Sequence, residues 1–260
     1  MRTLLITGGS SGIGLATVQL FVSKGWMVFE LSRSGVSSPS VTHIHCDVTD
    51  ETSVQNAVAE VMQNTESIDV VISNAGFGIS GPVEFTLLED AQKQFDVNLF
   101  GAIRLTKAVL PILRKQGYGR IVYTSSVAAD LSIPYQSFYS ASKSALNAIA
   151  LALANEVRSF GIQVCVLMPG DVATGFTDAR EKNIDGMEVY GALQSAVAAM
   201  EKDERDGMSP MDMAKCLYRM SICRNPRPLY IGGGIYKVFC VLNRLLPKRL
   251  VNWIVGKLYS

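Results

Sequence analysis

The chain has 260 residues, 48% of them hydrophobic, and a formal net charge of +1. That length suits one α/β domain of roughly 250 residues, the apolar share supports a large core and excludes disorder, and the balanced charge leaves no global field to attract nucleic acid. Five cysteines with no C-x-x-C pair exclude a disulfide framework and point to a reducing, cytoplasmic setting, and the lack of about 18 uninterrupted apolar residues excludes a membrane-spanning helix.

In chain order, strand signals fall at 3–7, 27–31, 41–46, 68–73, 120–124, 162–167 and 228–231. Most are β-branched and apolar on both faces, as in a parallel sheet covered on both sides. Helical periodicity occupies 13–24, 52–65, 87–113 and 138–160. The alternation predicts an α/β, doubly wound parallel sheet of about seven strands with helices on both faces. One crossover differs: 34–40 contains Gly35 and Pro39, too short and turn-rich for a helix, so a loop is expected there. A first strand from Thr3 and a working turn by Gly8 leave no room for a secretion leader.

The first strand runs into Thr7-Gly8-Gly9-Ser10-Ser11-Gly12-Ile13-Gly14. Glycines at 8, 12 and 14 between a strand and a helix permit a tight turn whose N–H groups approach a pyrophosphate at the helix N-terminus. Further on, Tyr139 and Lys143 sit four residues apart at the start of a helix, on one face. A phenol beside an ammonium reads as a proton donor with its pKa pushed down. Together these features point to nicotinamide-dependent carbonyl and alcohol chemistry.

Read together with Asn74-Ala75-Gly76, Asn98, Ser126 and Pro169-Gly170, these motifs resemble the short-chain dehydrogenase/reductase family, in the right order over roughly 3–175. More narrowly, the chain resembles its hydroxysteroid/retinol dehydrogenase and acyl-glycerone-phosphate reductase-like members. The resemblance implies a Rossmann-type fold and an oxidoreductase with Tyr139 as general acid/base. It implies that Lys143 tunes that tyrosine and holds the nicotinamide ribose, that Ser126, thirteen residues before it, polarises the carbonyl, and that Asn98 holds a relay water. Gly8, Ser10, Ser11, Gly12, Ile13 and Gly14 would cradle the cofactor, with Asn74, Ala75 and Gly76 beside the adenine ribose and Asp47-Val48 at the adenine. Pro169, Gly170, Val172 and Thr174 would cover the nicotinamide carboxamide. Ser73 stands where the family often has Asn. In this family the end of the second strand selects the cofactor. Here Ser32 and Arg33 stand in place of an Asp, which suits a 2′-phosphate. NADP is therefore expected over NAD, which stays open because Glu30 lies two residues earlier.

His43 and His45 share a strand face, but no further ligands accompany them, so they read as a satisfied strand-edge pair and no metal is expected. The first 212 residues carry 15 basic and 23 acidic groups, and the rest carry nine basic and none acidic. The division expected is a catalytic unit at 1–232, with a substrate flap at about 175–209, and a basic, apolar helical extension at 233–260, broken at Pro247. The flap's Met187, Val189, Tyr190, Leu193, Val197 and Met200 suit a bulky lipophilic carbonyl or alcohol. The extension reads as a helix pair packed on its own subunit, with a lid, a partner-subunit contact and a peripheral membrane helix as competing readings. The resemblance also implies a homodimer or homotetramer paired through 87–113 and 138–160. The rival function is a catalytically silent cofactor-binding regulator or scaffold on the same fold; an isomerase or dehydratase would be longer.

Overall fold

Fully apolar strands must be covered on both faces, and the chain achieves this with seven parallel strands. The computed structural model describes residues 1–259; Ser260, the last residue of the expected extension, lies outside the described residues. The strands are β1 (Thr3–Thr7), β2 (Met27–Ser32), β3 (Val41–His45), β4 (Val70–Ser73), β6 (Gly119–Thr124), β7 (Ile162–Pro169) and β9 (Leu229–Gly232). Their order is β3-β2-β1-β4-β6-β7-β9. The chain winds outward from β1 to β3, then crosses back to β4 on the other side of β1. That reversal opens a crevice at the carboxyl ends of β1 and β4, where open α/β sheets bind ligands. Register keeps those ends level: Thr7 pairs with Ser73, and Ser73 with Tyr123.

One face is covered by α2 (Glu51–Asn64), α4 (Ala102–Gln116) and α5 (Ser137–Glu156), which bury Val61, Val109, Leu113 and Leu146 against the sheet. The other face is covered by α1 (Gly12–Ser23) and α7 (Pro210–Ile222), meeting through Val18, Phe21, Leu217 and Met220. Phe21 packs edge-on against Trp26 and Tyr218 at 5.0 and 5.1 Å, a geometry that adds about 1 kcal/mol per pair beyond area burial.

The doubly wound expectation holds, and residues 33–40 indeed contain no helix. Three features differ from the sequence reading. The single helix expected at 87–113 is α3 (Leu88–Phe95), one π-helical stretch (Asp96–Gly101) and α4. The helix also runs through Pro111 to Gln116. A two-residue sheet joins β5 (Ile79–Ser80) to β8 (Glu181–Lys182). Finally, α7 follows α6 (Leu193–Arg205); Ser209 caps α7 by accepting from Met211 N at 3.1 Å, and Pro210 occupies its first turn. The tail forms α8 (Gly234–Leu245) and α9 (Lys248–Leu258), broken at Pro247 as expected. Cys46 and Cys165 are buried core thiols, and no cysteine is paired among the described residues.

Candidate active site

The glycine turn is built from backbone constraints. Gly8 and Gly12 adopt φ of 66° and 52°, where a side chain is strained. A Cβ on Gly14 would fall inside the Gly8 carbonyl oxygen and lie 2.7 Å from Asn74 Nδ2. Asn74 donates to that same carbonyl at 3.1 Å, and Thr7 Oγ1 accepts from the N–H groups of Asn74 and Ala75 at 3.1 and 3.2 Å. The turn and the end of β4 are thus one rigid unit. Gly14→Ala is expected to cost roughly 2–4 kcal/mol, because the obstacle is backbone. A melting temperature equal to wild type would show that the turn can give way.

Gly8, Ser11, Gly12, Ile13, Asn74, Ala75, Gly76, Ser126, Tyr139, Lys143, Pro169, Gly170, Val172 and Thr174 line one cavity of about 500 Å³. Ser10 and Gly14 lie within the turn that forms one end of it. Ser126 stands just beyond β6, as the cap of a short 3-10 turn, its hydroxyl accepting from Ala128 N at 3.1 Å. Tyr139 and Lys143 come from the first turns of α5, with the Lys143 ammonium 5.8 Å from the centre of the Tyr139 ring. Lys143 Nζ donates to Thr124 O at 3.0 Å.

Electrostatics here depart from the sequence expectation. Burial pushes the Tyr139 phenol up to about 12, with the Ser126 hydroxyl pulling the other way, and burial pulls the Lys143 ammonium down to about 8. Desolvation outweighs the Ser126 hydrogen bond and the Arg180 charge, so the phenol is held protonated. Asn98 sits in the π-helical stretch, a local geometry frequent at functional sites. Its Oδ1 accepts from Phe77 N, and its Nδ2 donates to Phe77 O, both at 3.0 Å, and to Ser142 Oγ at 3.2 Å. The amide therefore clasps the chain just after Gly76.

Ser32, Arg33, Asp47 and Val48 are not among the residues that line this cavity; at the end of β2, Ser32 Oγ donates to Glu30 Oε2 at 3.1 Å and Arg33 is exposed. Glu30 is buried and fully engaged: it also accepts from Gly9 N at 2.9 Å and pairs with His43 Nδ1 at 2.7 Å. His43 is thereby satisfied, and no metal-holding cluster exists among the described residues. Asp47 Oδ1 accepts from the N–H and hydroxyl of Thr49 at 2.9 and 2.7 Å, which holds its carboxyl below the usual range, and buried Val48 packs beneath Gly101.

The cavity also takes in Gln136, Asp171, Phe176, Glu204 and Tyr259, which sequence reasoning missed as site residues. Phe176 packs 5.8 Å from Tyr139, and Met200 alone of the named flap residues reaches the cavity. Asp171 follows Gly170 directly and was legible in that run; no sequence signal marks Tyr259, 120 positions from Tyr139.

These residues fit a dinucleotide. The N-terminus of α1 has no side-chain cap and no acid in its first turn, which suits a pyrophosphate. Thr124 Oγ1, in the cavity wall, is buried without a partner.

Residues 2–185 match the family model described as short chain dehydrogenase. Over its whole length the chain is 35% identical to 3-ketodihydrosphingosine reductase of Bacteroides thetaiotaomicron, covering 98% of that protein. It is 28% identical to NADPH-dependent 3-dehydrocapnine reductase of Ornithobacterium rhinotracheale, over 99% of this chain and 97% of the relative. A crystal structure of a short-chain dehydrogenase from Streptomyces avermitilis superposes with a TM-score of 0.85 at 27% identity, covering 98% of this chain and 97% of that one. The chain belongs to the short-chain dehydrogenase/reductase family and is an oxidoreductase of CH–OH and C=O groups.

Proposed function

We propose that the chain is an NADP-preferring reductase of a lipophilic ketone, with residues 1–232 as its catalytic unit and 233–260 as an appended tail. The observation that carries this reading is the single cavity joining the glycine turn to Ser126, Tyr139 and Lys143. When bound, the nicotinamide supplies the hydride. Ser126 Oγ hydrogen-bonds the carbonyl oxygen and so favours charge building on it. Tyr139 Oη, protonated throughout the neutral range, delivers the proton to that oxygen. Lys143 stabilises the phenolate left behind, and a water held near Asn98 returns the proton. The apolar surroundings from Phe176 and Met200 suit a lipid-like substrate, and the 3-keto compound in the Bacteroides relative's name belongs to that class.

The cofactor preference rests on Glu30. Its carboxylate already serves Gly9, Ser32 and His43, so it is not free for a ribose 2′-hydroxyl, whereas exposed Arg33 is available to a 2′-phosphate. Arg33→Ala is expected to shrink the ratio of kcat/KM for NADPH over NADH about tenfold; a wild-type enzyme that favours NADH would overturn the assignment. A free apolar groove along α3 and α5, lined by Leu88, Phe95, Phe100 and Phe138, supports pairing of two copies through this face. The unpaired cysteines support a cytoplasmic setting. No helix among the described residues is long and apolar enough to cross a membrane, and contact with a membrane surface through the tail is argued below. NADPH oxidation across 3-keto lipids, steroids, retinoids, acyl-glycerone phosphates and short ketones tests the whole reading: turnover confined to lipophilic ketones is expected, and tight NADPH binding with no turnover anywhere would favour a silent regulator.

A further inference from the structure

A surface helix ordinarily turns polar residues to water, and α8 does the reverse. Tyr236, Cys240 and Asn243 face the body of the protein. Ile235, Val238, Val241, Leu242 and Leu245 face outward, each between 42% and 75% exposed. At about 100° per residue, these five side chains share an arc of about 120° with no polar residue inside it. On α9, Trp253 and Leu258 are likewise more than 60% exposed. An uncovered apolar patch of this kind marks a contact surface.

Charge identifies what covers it. Lys237 and Arg249 on the same two helices are exposed, Lys248 Nζ donates to Asn243 Oδ1 at 2.9 Å, and no acidic residue follows Asp212. Arg244 is turned instead toward Asp130, at 3.6 Å. Apolar side chains that include a tryptophan, on two helices whose charged residues are all basic, complement an anionic bilayer surface. A second copy of the chain would set two pairs of helices that carry basic and no acidic residues against each other.

The same elements border the catalytic cavity. Tyr259, directly after α9, lines it. The Tyr236 hydroxyl donates to Asp171 Oδ2 at 2.5 Å, and its ring lies so close to Gly170 that a Cβ there would overlap it. We propose that the outward face of α8 and α9 docks on an anionic lipid bilayer and passes lipophilic substrate directly to the cavity beside Tyr259. The delivery part rests on the ketone-reductase reading above; the docking does not.

Full-length protein would be mixed with vesicles of phosphatidylcholine, with or without phosphatidylglycerol. The chain has two tryptophans. Trp26 is buried against Phe21, so a blue shift of emission reports Trp253 entering lipid. Co-sedimentation and a blue shift with phosphatidylglycerol vesicles are expected. Molar salt should weaken both about tenfold or more, as should the double substitution Val238→Glu/Leu242→Glu, which should leave turnover of a detergent-solubilised lipophilic ketone unchanged. Should that variant fail to fold, wild-type binding and its salt dependence decide the matter. The docking is overturned if wild type ignores phosphatidylglycerol vesicles at low salt, or if Trp253 becomes buried on concentration without lipid. Vesicle binding is read without cofactor or ketone, so its absence alongside intact turnover sinks the docking alone.

Discussion

Replacing Tyr139 with phenylalanine is expected to lower kcat for ketone reduction about a thousandfold, with NADPH affinity and folding unchanged. The phenol is buried and held protonated, and it lies in the cavity beside Ser126; phenylalanine keeps the shape and removes the phenolic proton. Folding should be preserved or improved, because a buried hydroxyl is replaced by apolar surface. Fluorescence titration of NADPH alongside steady-state kinetics separates the two effects. A variant that keeps more than about a tenth of wild-type kcat would assign proton delivery elsewhere.

Lys143→Met is expected to abolish turnover while raising stability by roughly 1–3 kcal/mol near neutral pH, several degrees in Tm for a chain of this size. The cause is an ammonium buried so deeply that its pKa falls to about 8, with the Thr124 carbonyl oxygen at 3.0 Å as its acceptor. The sign follows from proton counts. Between about 8 and the unfolded value near 10.4, the unfolded chain binds the proton and the folded chain does not, so this group makes wild type more stable as pH rises through that window. Below about 8 the cost is fully present. The Tm advantage of Lys143→Met should therefore be largest at pH 7 and shrink toward pH 10. Reductive kcat of wild type should fall above pH 8, as the charge that stabilises the phenolate is lost. A Tm gap that widens with pH would contradict the buried-ammonium picture.

The sheet was legible because each strand is an apolar, β-branched run bounded by a turn, as at β1 and β7, and parallel strands covered on both faces require that pattern. The Ser34–Ser40 connection was legible from Gly35 and Pro39. The π-helical stretch around Asn98 was not: one extra residue per turn leaves the apolar periodicity of 87–113 almost unchanged. The helix after Ser209 carried signals that went unused, Ser209 as cap, Pro210 in the first turn and Asp212 close behind. Which residues line the cavity was readable where motif spacing fixes it, as at Tyr139 and Lys143. It was unreadable for Phe176, Glu204 and Tyr259, which arrive through tertiary packing. The direction of the Tyr139 shift was misjudged for a related reason, since spacing shows the ammonium nearby but not the depth of burial that sets the direction. The engagement of Glu30 was equally unreadable, since its three partners converge from the turn, from β2 itself and from β3.

The most direct test of hydride delivery to a lipophilic ketone is isotopic. NADPH carrying deuterium at the nicotinamide C4 would be incubated with a long-chain 3-keto lipid, and the product examined by mass spectrometry. Transfer of one deuterium to the carbinol carbon, abolished by Tyr139→Phe, is the predicted result. Recovery of unchanged ketone and unoxidised NADPH, with the cofactor tightly bound, would contradict it and place the chain among proteins that hold the dinucleotide without using it.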